Sequence, residues 1–179
     1  SHNMFARILA GPHTGVSRAA LQVARKLDLE SGGYIHAGWH GEDGAGLNAR
    51  FGLCPLADTQ PAAALRRMVE EADGTIVIFK ADPGQEGRLA IDLSRQSGRL
   101  CLLLDIHRQT AFSASQELAA WQEIHQIHTL FVSGNTEAEC AGIQKQSAEL
   151  LEAAFFLVMT DLGLSHPLHG PQALGKALE

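Results

Sequence analysis

Gly11, His13, Thr14, Gly15 and Arg18 fall in one short stretch and combine the groups that bind an oxyanion: bare main chain, an imidazole, a hydroxyl and a guanidinium. They stand where an apolar run, Ala6 to Ala10, gives way to an amphipathic pattern from Val16. A helix start exposes unpaired N–H groups and the positive end of the helix dipole, and glycines let an anion approach that main chain. Arg18, one turn in, is placed to clamp a phosphate through two parallel hydrogen bonds, while Thr14 can either donate to a ligand oxygen or cap the helix. Gly84, Gly87 and Arg88 frame a second helix start after an apolar run, and Gly134, Asn135 and Thr136 follow a third. The spacing also allows Arg88 to be a surface charge paired with Asp92 at i,i+4. Three such loops predict a crevice for a small phosphorylated ligand. Glu42 and Asp43 add carboxylates that could accept from ribose hydroxyls or a base edge, and Glu42 or Glu86 could act in acid–base chemistry.

Other chemistries find less support. His36 and His40 are four apart and His125 and His128 three apart, spacings that suit a metal on a helix. The first pair, however, lies in a glycine-rich stretch and the second straddles a helix end, with no third ligand close in sequence, so no protein-held metal is expected. Neither a Gly-x-Ser-x-Gly elbow nor a Walker loop ending in Gly-Lys-Ser/Thr occurs.

The loops need a scaffold, and the apolar pattern supplies one. Ala6 to Ala10, Thr75 to Phe79, Leu100 to Asp105 and Thr129 to Ser133 read as strands covered on both faces. Between them lie helical patterns over Val16 to Leu27, Pro61 to Ala72, Gly87 to Ser97 and Ser113 to Ile127, with a last one from Glu137 to about Asp161. Alternating strands and helices imply right-handed crossovers, and so a single α/β domain with a doubly wound, mostly parallel sheet between two helical layers. In such sheets ligands bind beyond the carboxyl ends of the strands, where the three loops fall. Ser31 to Thr59 resists the scheme: it is glycine-rich and shows at best one short strand near Tyr34 to Ala37. A segment of that length without regular structure is usually functional.

Composition bounds the partners. With 179 residues, 45% of them hydrophobic, the chain can bury one ordinary core, over about residues 4–162. Ser1 to Asn3 reads as a cloning remnant and residues 163–179 as a loose extension that could pack on a partner subunit or be partly disordered; a homo-oligomer is the expectation. A net charge of -6 argues against nucleic acid as a partner. No apolar run approaches the roughly 20 residues that cross a bilayer, so no membrane partner is expected. Three dispersed cysteines fit reduced thiols and a cytoplasmic setting better than a disulfide framework.

The loop sequences also resemble those of the putative molybdenum carrier family, a circularly permuted branch of the Rossmann-like group that includes the lysine-decarboxylase-like nucleotide phosphoribohydrolases. The family's opening motif is approximately Gly-Gly-Gln-Thr-Gly-Val-Asp-Arg-Ala-Ala-Leu, and this chain reads Ala10-Gly11-Pro12-His13-Thr14-Gly15-Val16-Ser17-Arg18-Ala19-Ala20-Leu21. Gly32-Gly33-Tyr34 and Glu42-Asp43-Gly44 match two further segments, and the likeness spans roughly Phe5 to Phe156. His13 replaces the motif's glutamine, Ser17 its aspartate, and Gly84-Gln85-Glu86-Gly87-Arg88 the second loop's Gly-Gly-Thr. The resemblance implies a Rossmann-like fold and a non-catalytic carrier of molybdenum cofactor or a related phosphorylated pterin or nucleotide. The alternative it implies is a nucleoside-monophosphate phosphoribohydrolase, whose Pro-Gly-Gly-x-Gly-Thr-x-x-Glu motif Asp82 to Arg88 echoes in part.

Overall fold

The computed structural model describes residues 5–41 and 44–160. Within them six strands alternate with six helices: β1 Arg7–Leu9, α1 Val16–Lys26, β2 Glu30–Ile35, α2 Gly44–Phe51, β3 Leu53–Pro55, α3 Pro61–Glu71, β4 Gly74–Phe79, α4 Gly84–Ser97, β5 Cys101–Asp105, α5 Ala111–His125, β6 Thr129–Gly134 and α6 Ile143–Thr160. The strands form one sheet in the order β3-β2-β1-β6-β4-β5, and every pairing between them is parallel.

Handedness decides which helix covers which face. The steps β1 to β2, β2 to β3 and β5 to β6 all run toward the β3 edge, so right-handed crossovers put α1, α2 and α5 on one side. The steps β3 to β4 and β4 to β5 run the other way, which sends α3 and α4 to the opposite side. The packing agrees. Ile8, Ile76, Ile78, Leu130 and Val132 sit in a core with α1, α2, α5 and α6 residues, whereas Leu9, Val77, Phe79 and Phe131 pack with Leu65, Met68, Val69, Ala90 and Leu93 of α3 and α4. Strand side chains alternate between the two cores, the period-2 signature of a sheet buried on both faces. The result is a three-layer sandwich, and the mostly parallel sheet of the sequence reading is wholly parallel between its strands.

The last strand among the described residues, β6, lies at the sheet's centre, between β1 and β4. Numbered from β6 instead, the strands would wind outward in sequence on one side and then on the other, the ordinary doubly wound order. The helices after β6 and β4 lie on opposite faces, which puts the topological switch point at the carboxyl ends of those two strands.

The glycine-rich segment is where structure and sequence reading diverge most. It holds two strands and a helix: β2 starts at Glu30, ahead of the expected Tyr34, and α2 and β3 were not anticipated. Only Leu47 and Phe51 of α2 are buried, a single i,i+4 pair among glycines, and β3 is three residues long. Both are too short to display a period. At α5 the true start is two residues before the expected one because Thr110 caps it, its hydroxyl accepting from the Ser113 N–H at 3.0 Å. α4 begins at Gly84 rather than Gly87, and α6 at Ile143 rather than Glu137. Among the described residues no helix is long and apolar enough to cross a membrane. Residues 1–3 and the extension 163–179 lie outside the described residues.

Candidate functional site

A cavity of about 520 Å³ opens at the carboxyl ends of the strands, on the face covered by α3 and α4. Its floor is Gly11, His13 and Glu86; its walls are Leu65 and Met68 of α3, Leu89 of α4 and Tyr34 of β2; Trp39, His36 and His40 come from the segment after β2, and Gln85, Thr136 and Glu139 close the far side. Among the described residues no lysine or arginine lines it. This is a mostly apolar hollow with a few convergent polar groups, the usual character of a small-molecule site.

Glu86 organises the floor. It stands in the first turn of α4, is 9% exposed, and faces the same way as Ala90 and Leu93 one and two turns on. Its Oε2 accepts from the Ser133 hydroxyl at 2.6 Å and from the Ser17 hydroxyl at 3.3 Å. Ser133 follows Phe131 by two residues in β6, so the strand's alternation aims it into the same layer. On the other oxygen, Oε1, His13 Nε2 approaches to 3.4 Å. The His13 ring meets Trp39 edge-on at 4.8 Å between centroids, and the His36 ring stands 6.4 Å from the same indole. Burial pushes the His36 pKa down, and the neighbouring His13 and His40 push it further.

The first helix start differs from the expectation of an open phosphate cradle. Its first N–H groups are already bonded within the protein: Gly15 donates to Gln144 Oε1 at 2.9 Å and Val16 to the Asn135 carbonyl at 3.0 Å. Gly15 is glycine because of that closeness: at φ 95° a Cβ would lie 2.7 Å from the Glu137 nitrogen and nearer still to the Asn135 oxygen. Thr14 is exposed and makes no cap bond, the capping position being Gly15. Arg18 is 7% exposed and donates to the Pro12 carbonyl at 3.1 Å, its guanidinium 5.7 Å from the Phe51 ring centroid. It braces the loop from the side of α2 and does not line the cavity. Sequence reading missed this because α2, which carries Phe51, was not anticipated.

The other two loops divide similarly. Arg88 is exposed and pairs with Asp82 at 2.8 Å, not with Asp92. Gly87 lets α4 close on β4, a Cβ there coming within 3.1 Å of Val77 Cγ1. Asn135 is a latch: its side chain accepts from the Lys80 N–H and donates to the Asp82 carbonyl, both at 2.9 Å. Gly84 and Asn135 border a second hollow of about 330 Å³ with Lys80 and Asp82. Of the residues expected from sequence, then, Gly11, His13, Thr136 and Glu86 meet in the main cavity. Gly15, Arg18, Gly87, Gly134 and Asn135 build its supports, and Glu42 and Asp43 lie outside the described residues.

The start of α4 carries an anion of the protein's own. Glu139 accepts from the Gln85 N–H at 3.0 Å and from the Thr136 N–H at 2.9 Å. Burial acts to raise its pKa, but those main-chain donors and the Asn135 and Thr136 side chains outweigh it and hold the carboxyl below its ordinary value of 4.5. A carboxyl depressed on folding adds stability above its unfolded pKa and loses it as pH falls through the folded one. Glu139→Gln is therefore expected to be less stable than the parent at neutral pH, by well under about 1 kcal/mol since solvent screens the exposed group. In urea titrations from pH 7 down to pH 3, the gap between the two proteins should narrow with acid.

Residues 8–155 match a family model described as the circularly permutated YpsA SLOG family. No curated protein matches the chain. Among solved structures, the putative molybdenum carrier protein of Syntrophus aciditrophicus superposes with a TM-score of 0.77 at 23% identity, over 84% of this chain and 94% of that one. At that identity the likeness is one of fold.

Proposed function

The chain belongs to the circularly permutated YpsA SLOG family, and from that membership we propose that it is a binding protein for a phosphorylated pterin or nucleotide-like ligand. The observation that carries this reading is the cavity of about 520 Å³ beside the switch point, with a buried carboxylate on its floor and an indole at its mouth. The volume lies in the range that encloses most of a small cofactor. The ring system would enter toward Glu86, with the phosphate outward beside His36 and His40, since the Gln85 and Thr136 N–H groups are already held by the Glu139 carboxylate. The Syntrophus protein is named a molybdenum carrier, which makes a molybdenum-bearing compound one candidate ligand.

Thermal-shift titration against molybdopterin, GTP, AMP and NAD, with molybdate and tungstate as bare oxyanions, tests this. A true ligand at 100 times its dissociation constant adds about 2.7 kcal/mol of stability. Absence of a shift with every phosphorylated compound would overturn the proposal. One observation favours a second reading: the buried Glu86 against His13 at 3.4 Å is an arrangement that can move a proton. That reading is a phosphoribohydrolase-like enzyme, and its mark would be ribose 5-phosphate released from a nucleoside monophosphate by the parent and not by Glu86→Gln.

A further inference from the structure

We propose that Glu86 reads a paired-donor edge on the ligand's ring, the adjacent N–H and NH2 of a 2-amino-4-oxopyrimidine such as guanine or a pterin carries, and so rejects adenine-type rings. This rests on the binding reading above and specifies which ligands it admits.

Three observations converge. The carboxylate is fixed, because Ser133 and Ser17 both hold Oε2 from inside the protein. Of the roughly four acceptor positions on a carboxylate, that leaves those of Oε1, which two adjacent N–H donors can share; its neighbours are His13 at 3.4 Å and Gly11, where a Cβ would stand 3.6 Å away, and both residues line the cavity. The charge also lacks a strong cationic neighbour: no lysine or arginine lines the cavity among the described residues, and Glu139 adds a second carboxylate to its wall. A buried carboxylate is costly unless donors surround it, so a ligand that brings two N–H donors completes the site, while one that brings a lone pair does not. The enclosing surfaces suit a flat ring, since Trp39 stands on one side and Leu65, Met68 and Leu89 offer apolar contact. Adenine presents an amino group next to a ring-nitrogen acceptor, and that acceptor would face the carboxylate. Repulsion of this kind discriminates as strongly as attraction.

The test uses unphosphorylated probes on the full chain, so that the phosphate contributes nothing. Guanosine, a simple pterin, inosine and adenosine are titrated by calorimetry and by quenching of tryptophan fluorescence. Guanosine and the pterin are expected to bind roughly 10- to 100-fold more tightly than inosine, which lacks the amino group, or adenosine, the range expected for a lost hydrogen bond to a charged group. Glu86→Gln should abolish the preference and Trp39→Phe should remove the quenching. Equal binding of the four probes by the parent protein would overturn the proposal without any variant, as would a preference that survives Glu86→Gln in a folded protein. Should phosphorylated ligands shift the melting temperature while the probes show no base preference, this proposal falls and the binding reading stands. A lack of response to either set defeats both.

Discussion

Gly134→Ala is expected to destabilise the fold by about 3 kcal/mol or more, enough to remove much of the stability of an ordinary domain. Gly134 ends β6, pairs with Ile78 of β4, and has φ 155°. A Cβ there would sit 2.9 Å from the Ile78 carbonyl carbon and closer still to its oxygen. The obstacle is main chain in the middle of a sheet, so no side chain can swing aside to relieve it. The strands would have to separate, and with them the Asn135 latch that ties the Lys80 and Asp82 loop to β6. Urea denaturation and the yield of soluble protein measure the effect. A variant with an unchanged midpoint would show that the β4–β6 pair can open freely, contrary to this account. In sequence, Gly134 belongs to one of three loops expected to frame a ligand crevice; its geometry makes it the spacer between β6 and β4.

Ser133→Ala is expected to cost about 2 kcal/mol, a loss out of proportion to one hydroxyl. Its bond to Glu86 is short, 2.6 Å, buried, and made to a carboxylate; bonds to charged groups are worth roughly 1.5–3 kcal/mol. Removing the donor leaves the carboxylate in place with one fewer partner, which is the expensive way to break a buried polar pair. If that is the origin of the loss, combining Ser133→Ala with Glu86→Leu should recover part of it, because the group left unsatisfied is gone too. A double-mutant cycle by urea denaturation should give a coupling of at least about 1 kcal/mol, and additive losses would refute the mechanism.

The scaffold was legible because its signals are long. Apolar runs such as Thr75 to Phe79 and helical faces such as Leu65, Met68, Val69 and Ala72 repeat often enough to fix element type, and alternation then implied the parallel sheet. α2 and β3 were not legible, because one buried pair and three residues carry no period. At the site, residue type alone does not separate a ligand-facing role from a structural one. Glycines and arginines beside helix starts suggested an open anion cradle, yet Gly15 and Gly134 answer to nearby main chain and Arg18 to Pro12 and Phe51. A better signal was present in the pattern. Glu86 continues the buried face of Ala90 and Leu93, Ser133 that of Phe131, and Ser17 that of Leu21 and Ala24, so each puts a polar group where its element should be apolar. Polar interruptions of three apolar faces, near the ends of three elements, mark the buried cluster in which Ser133 and Ser17 hold Glu86 under the cavity.

The central position of β6 bears on how the molecule is made. Arg7 to Leu9 pair with Thr129 to Phe131, so the middle of the sheet is closed by partners far apart in sequence. During synthesis the first strands emerge with one flank of hydrogen-bonding groups open, as do β4 and β5, and neither set meets the other until the last strand leaves the ribosome. Contacts so remote in sequence form slowly, and exposed strand edges invite pairing with other chains meanwhile. Protease resistance of arrested nascent chains should therefore appear abruptly once β6 and α6 have emerged, rather than accrue strand by strand. Glu86 and Ser133 meet in the same event, which makes the cavity floor a product of β6's arrival.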